Sequence, residues 1–403
     1  MHVNDLDQNE INKLVKESYA FVKEKLFNSK TNIVYDFVFK ANTDLPTPDE
    51  IGMSFPNPCG YGTGMEDGMI NGALALFACL SINRYVQDHE LQQFIHCLVL
   101  GLQSVAMQGK DGFLPRAVCP IDGKSHYIDS SIDQYTMFFY SAYIYTHCAL
   151  CTKEENLNFQ KILTKICRRA EKNVVKETGY DMLREDGGES KVTKFWGDKT
   201  YEFAAFCRLP MMYLLTYALT KDLHWYDKYR EIRDASLVGM SNFEEPWHLY
   251  VFQQMECSLI VLRDLEDDPF YKSRYEQLIK KIGAFVAPKM IHLSSILKER
   301  KDINEPFIPF RNRPLYTRDI KEWKGLPTLY AKRADNETFF LAQDVANVVF
   351  CMALGGVQIT SEIINAFLTV WRKIDFEKHT RCLPLYFLCA CCICDLKETS
   401  NDK

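Results

Sequence analysis

The chain has 403 residues, 47% of them hydrophobic and 25% charged, with a formal net charge of −5. That is enough apolar material for a sizeable core, and the acidic balance argues against a nucleic-acid binder, which would carry a basic face. No run of about 18 uncharged apolar residues marks a membrane span.

Twelve helical stretches can be read in order, separated by connections that alternate long and short. An amphipathic stretch over 8–27 is followed by a long connection, 28–66, whose 43–64 part holds four prolines and four glycines and reads as an ordered loop. An uncharged apolar run, 68–83, turns near Gln87 into 90–107, and a second long connection covers 108–130. The apolar run 134–152 turns near Thr152 into the ion-studded 155–177. A third long connection, 179–200, contains two extended pieces around Asp186-Gly187-Gly188, which predicts a β-hairpin excursion near 180–195. Beyond it come 203–220, a turn near Lys221, and 223–238. After the connection 240–246, the run 249–262 turns near Glu266 into 267–285. The longest connection, 288–336, leads to 338–361, a turn near Gln358, and 362–377. A last connection, 375–380, precedes the uncharged run 382–394.

These stretches are of two kinds, and the kinds alternate. Runs apolar on every side must be buried on every side, whereas amphipathic ones bury a single stripe. Six buried helices facing one another inside six half-exposed helices satisfy the pattern. The sequence therefore predicts an all-α fold, an (α/α)6 toroid of six helical hairpins in one domain spanning 1–403. Short turns join hairpins at one end of such a ring, so every long loop gathers at the other.

The inner helices begin at that loop rim, offering unpaired N–H groups and a partial positive charge. The rim is rich in groups suited to a saccharide. Tyr61, Tyr127, Trp196, Tyr201, Trp247, Tyr250, Tyr316 and Trp323 supply flat faces that stack on sugar rings. Arg116, Arg184, Arg311, Arg313 and Arg318 supply forks for a carboxylate. The plainer reading is that long loops need aromatic anchors to stay ordered.

Asp67 opens the first inner helix and Asp133 the second, with Gln134 beside it. Neighbouring helices pack about 8–10 Å apart, so two first-turn carboxylates can approach the roughly 5–9.5 Å separation of glycosidase acid pairs. The plainer alternative is capping, since Thr63-x-x-Glu66 and Ser130-x-x-Asp133 both fit the capping box. His248, at the start of the fourth inner helix, is a candidate acid or base near neutral pH, with His126 as a lesser one. Asp198 and Glu202 read as ordinary charges at a helix start. Arg208, Glu256 and Asp344 are lone charges in apolar runs and need partners; Arg208 with Glu256 is the expected pair. The fifteen cysteines read as reduced thiols. The thiols of Cys389, Cys391, Cys392 and Cys394 would point around a helix rather than to one point, so neither metal nor cofactor is expected. The first residues, Met1-His2-Val3-Asn4-Asp5, have no apolar signal core, which fits a cytoplasmic chain or an exported one already trimmed.

With Asp67 and Asp133 at the openings of two successive inner helices, 66 positions apart, the chain resembles the six-hairpin glycosidase superfamily and within it the unsaturated glucuronyl hydrolases. The resemblance covers nearly the whole length as architecture. It implies a hydrolase acting on an oligosaccharide, with uronate-bearing ones among the candidates, Asp133 as acid/base and Asp67 as its partner. The sequence departs from that family in Met65-Glu66-Asp67-Gly68, where the family has a His-Asp-Leu-Gly-type context, and in lacking an Arg-Gly-Gln-Ala-Trp run. Two other readings stand beside it: a sugar epimerase of the N-acylglucosamine 2-epimerase type, working through rim histidines, and a carbohydrate-binding toroid without chemistry.

Overall fold

The computed structural model describes residues 5–39, 44–190, 192–196, 202–246, 248–300, 310–312, 315–317, 329–331, 336–377 and 380–401. In chain order its α-helices begin with α1 (Asp5–Phe21), α2 (Pro48–Gly52), α3 (Gly68–Asn83), α4 (His89–Gln108) and α5 (Ile132–Thr146). Next come α6 (Lys153–Asn173), α7 (Glu202–Ala205), α8 (Arg208–Thr220), α9 (Leu223–Ser241) and α10 (Tyr250–Leu265). The last are α11 (Pro269–Val286), α12 (Lys289–Glu299), α13 (Asn336–Leu354), α14 (Ser361–Lys373) and α15 (Leu383–Asn401). Twelve of these match the expected stretches, the one over 203–220 being broken into α7 and α8; α2 and α12 are additional, and α12 occupies part of the connection read as loop, against α13 and α14.

The contacts close a ring. α3 packs on α5, α5 on α8, α8 on α10, α10 on α13, α13 on α15, and α15 back on α3. Around it, α4, α6, α9, α11 and α14 each lie against inner helices, and α1 lies along α15. The fold is all-α, a toroid of six helical pairs, with the first and last helices forming the sixth. Its centre is filled: α10 reaches across to α5, where Gln253 Nε2 lies 3.5 Å from Met137 Sδ. The inner helices bury Phe138, Phe139, Met211, Met255, Val348 and Tyr386 completely. Truncating any one to alanine should cost about 2–5 kcal/mol, the usual range for large-to-small changes in a packed core. The apolar window Phe203–Thr220, long enough by composition to cross a membrane, is 72% buried within this ring.

Helix starts differ between the two ends. At the short turns Asp88, Thr152, Asp222, Asp268 and Thr360 each accept a backbone N–H at the start of an outer helix, so these helices are capped by their own sequence. The inner helices α3, α5, α8 and α10 have no side-chain cap. Their first N–H groups are not left open as expected. Met69 N donates to Arg116 O at 2.9 Å, Ile132 N to Val192 O at 2.8 Å, and Leu249 N to Asp344 Oδ1 at 2.8 Å. Loop carbonyls therefore cap α3 and α5, and a carboxylate from α13 caps α10.

Strands are minor. β1 (Phe27–Asn28) pairs antiparallel with β2 (Ile33–Val34), and β3 (Leu315–Thr317) with β4 (Leu329–Ala331). The hairpin excursion near 180–195 is present as a bridge between Asp181 and Lys194, with Met182 N donating to Thr193 O at 3.1 Å. All fifteen cysteines are free thiols.

Candidate active site at the loop rim

Ring closure brings the starts of α3, α5, α8, α10 and α15 to one end, and an ionisable side chain arrives with each. Asp67 precedes α3, Asp133 is the second residue of α5, Arg208 the first of α8, His248 precedes α10, and Arg381 precedes α15. Asp344, inside α13, reaches the same level, since it accepts the N–H of Leu249.

Asp67 lies between cations. Arg381 Nη2 donates to its Oδ2, Arg116 Nη1 is 4.0 Å from its Oδ1, and Gln134 Nε2 donates to that oxygen at 3.3 Å. Gln134 also donates to Glu66 O at 3.0 Å, and Arg116 spans Glu66 O and Ser130 O, both at 2.9 Å. These bonds tie the opening of α5 to the opening of α3 and set the two aspartates in one neighbourhood. Asp133 takes its own cation from the third inner helix: Arg208 Nη1 is 3.3 Å from its Oδ1 and also donates to Thr136. Burial pushes the Asp133 carboxyl above its ordinary value, the nearby Asp67 charge adds to the rise, and Arg208 and Arg116 oppose it. The two side chains are not sealed in, being 21% exposed for Asp67 and 22% for Asp133.

Neither acid is a cap. Thr63 Oγ1 donates to Gly60 O, and the Glu66 carboxylate accepts Gly62 N at 2.8 Å and pairs with Arg381 at 2.8 Å. Ser131, the residue before α5, makes no side-chain cap, and Asp133 pairs with Arg208. The expected Arg208–Glu256 pair does not form, because Arg208 points up to the rim. Glu256 is left fully buried without a cation among the described residues, and burial raises its carboxyl well above the ordinary range.

His248 stands at the same end. Its Nδ1 is 3.5 Å from Asp344 Oδ2, and its ring stacks on Phe340 at 4.2 Å between centroids. A carboxylate behind an imidazole orients the ring and favours one tautomer.

The other candidates scatter. Tyr61 belongs to the cluster: Arg116 lies 4.8 Å over its ring and donates to its hydroxyl at 3.1 Å. Tyr127 is buried and cannot stack on a sugar. Its ring fills the space over Gly60, where a Cβ would come within 2.3 Å, and its hydroxyl donates to Phe55 O at 2.7 Å. Arg184 is not an open clamp either. Nε and Nη2 each meet Asp186 at 3.0 Å and Nη1 meets Glu189 O, closing the hairpin turn. Arg311 joins its loop to α2 through Glu50 and Leu45 O. Trp196 is half-buried, edge-on to Phe206 at 4.8 Å. His126 pairs with Glu185 at 3.1 Å in the loops. Tyr316 lies in β3, its side chain outside the described atoms. Tyr201, Trp247, Arg313, Arg318, Trp323 and Asp198 lie outside the described residues.

At this end the sequence reading misses Arg381 and Asp36, and it flags Asp344 as a lone charge without finding its partner. Arg381 holds Glu66 and Asp67 together, Asp36 accepts Glu66 N and Asn71 Nδ2, both at 2.9 Å, and Asp344 partners His248 through space. Each had a signal, being a lone charge beside or within an apolar run, as in Val34-Tyr35-Asp36-Phe37-Val38.

No protein-family model matches the chain, and no curated protein gives a significant match. Among solved structures the chain is similar to a sugar epimerase from a ruminal bacterium. The TM-score is 0.47 at 10% identity, covering 94% of this chain and 98% of that one.

Proposed function

We propose that the protein is a carbohydrate-processing enzyme, one toroidal domain whose loop rim hydrolyses a glycosidic bond by carboxylate acid/base catalysis. The observation that carries this reading is the unequal setting of two neighbouring, partly exposed aspartates. Asp67 stands against Arg381 and Arg116, while burial and the Asp67 charge lift the Asp133 carboxyl. A carboxyl lifted by burial beside one held between guanidiniums is the asymmetry a general acid and an ionised partner require. In this scheme Asp133 protonates the leaving oxygen or activates water, Asp67 stabilises developing positive charge, and Gln134 holds the two in register.

A second reading, sugar epimerisation, is favoured by the His248–Asp344 pair, which could abstract a proton next to a carbonyl. The deciding experiment assays release of reducing sugar and change of sugar configuration over neutral, amino and uronic oligosaccharides. Loss of hydrolysis in Asp133→Asn with activity kept in His248→Ala supports the first reading. The reverse pattern replaces it with the second, and no activity on any sugar removes both.

A further inference from the structure

Ten of the fifteen thiols are buried, and five are half-exposed: Cys97, Cys148, Cys151, Cys392 and Cys394. Two of those five share one turn. Cys151 N donates to Cys148 O at 3.1 Å in the connection from α5 to α6, at the end of the ring away from the site. That bond closes a four-residue β-turn, whose first and last Cα atoms lie within about 7 Å. Disulfides span Cα separations of about 4.4–6.8 Å, so the backbone already holds this pair at bridging range. Cys392 and Cys394 are two positions apart on α15 and do not face each other.

The turn is fixed on both sides. Cys148 N donates to Tyr145 O at 2.9 Å where α5 ends. Thr152 caps α6 in a reciprocal box: Glu155 N donates to its Oγ1 at 3.2 Å, and its own N donates to Glu155 Oε2 at 2.9 Å. The same carboxylate accepts the Tyr145 hydroxyl and meets His96 Nδ1, both at 2.8 Å. The two thiols are therefore kept at high effective concentration, with little chain entropy left to lose. Cys151 Sγ makes a weak donation to Thr152 O at 3.5 Å, which a rotation of its side chain gives up. Burial pushes the Cys151 thiol up to about 11, and the Glu155 carboxylate and the Cys148 thiol add to the rise. At neutral pH Cys151 is thus almost wholly protonated, a resting thiol rather than an attacking one.

We infer that Cys148 and Cys151 form a reversible dithiol–disulfide switch, reduced at rest and closed by peroxide. The Cys148 thiolate takes one oxygen from the peroxide and becomes a sulfenic acid, and the other oxygen leaves as water once protonated. The Cys151 sulfur then displaces the sulfenic hydroxyl, which departs with the Cys151 proton as a second water, and the S–S bond forms. The two thiols give up two electrons and two protons, and one peroxide becomes two waters. Closure also protects the turn. A sulfinic or sulfonic acid at Cys151 would set a charge beside Glu155 and strain the capping box, and the disulfide stops short of those states. This device stands apart from the rim and from any reaction there.

Peptide mass spectrometry of the intact, folded protein tests it. Trypsin releases Ser125–Lys153, in which these two are the cysteines. After brief exposure to hydrogen peroxide and blocking of free thiols, that peptide should appear unblocked and two hydrogens lighter. Dithiothreitol added before blocking should restore the doubly blocked form. Cys151→Ser should leave Cys148 as a sulfenic acid that dimedone traps, and Cys148→Ser should leave Cys151 blocked and unoxidised. The inference is overturned if the wild-type peptide stays doubly blocked after peroxide, if it runs on to sulfonic acid, or if either cysteine bonds to a different one.

Discussion

Arg381 donates to Asp67 across 314 positions of sequence and pairs at the same time with Glu66, so the last inner helix holds the acids of the first. Ring closure and site assembly are one event in this protein. The guanidinium is only 10% exposed, and removing it leaves two carboxylates facing each other beside buried Asp36. Arg381→Met should destabilise the fold by about 3–5 kcal/mol, the usual result of breaking one side of a buried ion pair. Denaturant melts check this; a loss under 1 kcal/mol would mean that the ring closes without the pair.

Asp133→Asn keeps volume and the contact with Arg208 while removing the transferable proton. Turnover should fall roughly a hundred- to ten-thousandfold, the usual range for a general acid or base. The melting temperature should stay within a few degrees. Undiminished turnover would strike Asp133 from the chemistry.

His248→Ala separates the two proposed reactions. Under hydrolysis the change removes the stack on Phe340 and the contact with Asp344 but no reacting group, and activity should fall less than about tenfold. A drop of a hundredfold or more, with Asp133→Asn still active, would assign proton transfer to the imidazole.

Glu256 gives a prediction about pH and stability. Burial pushes its native carboxyl well above 4.5, the value expected once the chain unfolds. Between that value and the raised native one, the folded protein holds a proton that the unfolded chain has released. The native state then binds more protons, so this group's contribution to stability falls as pH rises. Glu256→Gln removes the dependence. Its stability relative to wild type should increase with pH above about 4.5, read as the midpoint of urea unfolding at pH 5 and pH 8. A constant difference would mean that Glu256 is already charged in the fold.

The ring was legible because charge separates its layers. Arg208 is the lone charge in 203–220 and Glu256 the lone charge in 249–262, against the dense ions of 155–177, and this contrast alone sorts inner from outer helices. The rim was legible where a residue sits at a helix start, as Asp67, Asp133 and His248 do. What connects them was not, because pairing across a ring leaves no spacing in the chain. Arg208 was assigned to Glu256 since both lie on adjacent buried helices, yet a long guanidinium at the first residue of α8 reaches the rim more easily than a position two turns down α10. Tyr127, Arg184 and Arg311 resemble ligand contacts in sequence because loops in this chain hold their order through the same residue types that recognise sugars. Their hydrogen bonds go to Phe55, Asp186 and Glu50.

The pairing of α1 with α15 bears on how the chain is made. A circular wall whose final stave is its last long helix stays open until that helix has left the ribosome. Until then the flanks of α13 and α3 that α15 covers are bare, and a nascent chain halted before Leu383 should offer two greasy seams to whatever is near. Translation that stalls late would then be more hazardous to this protein than translation that stalls early.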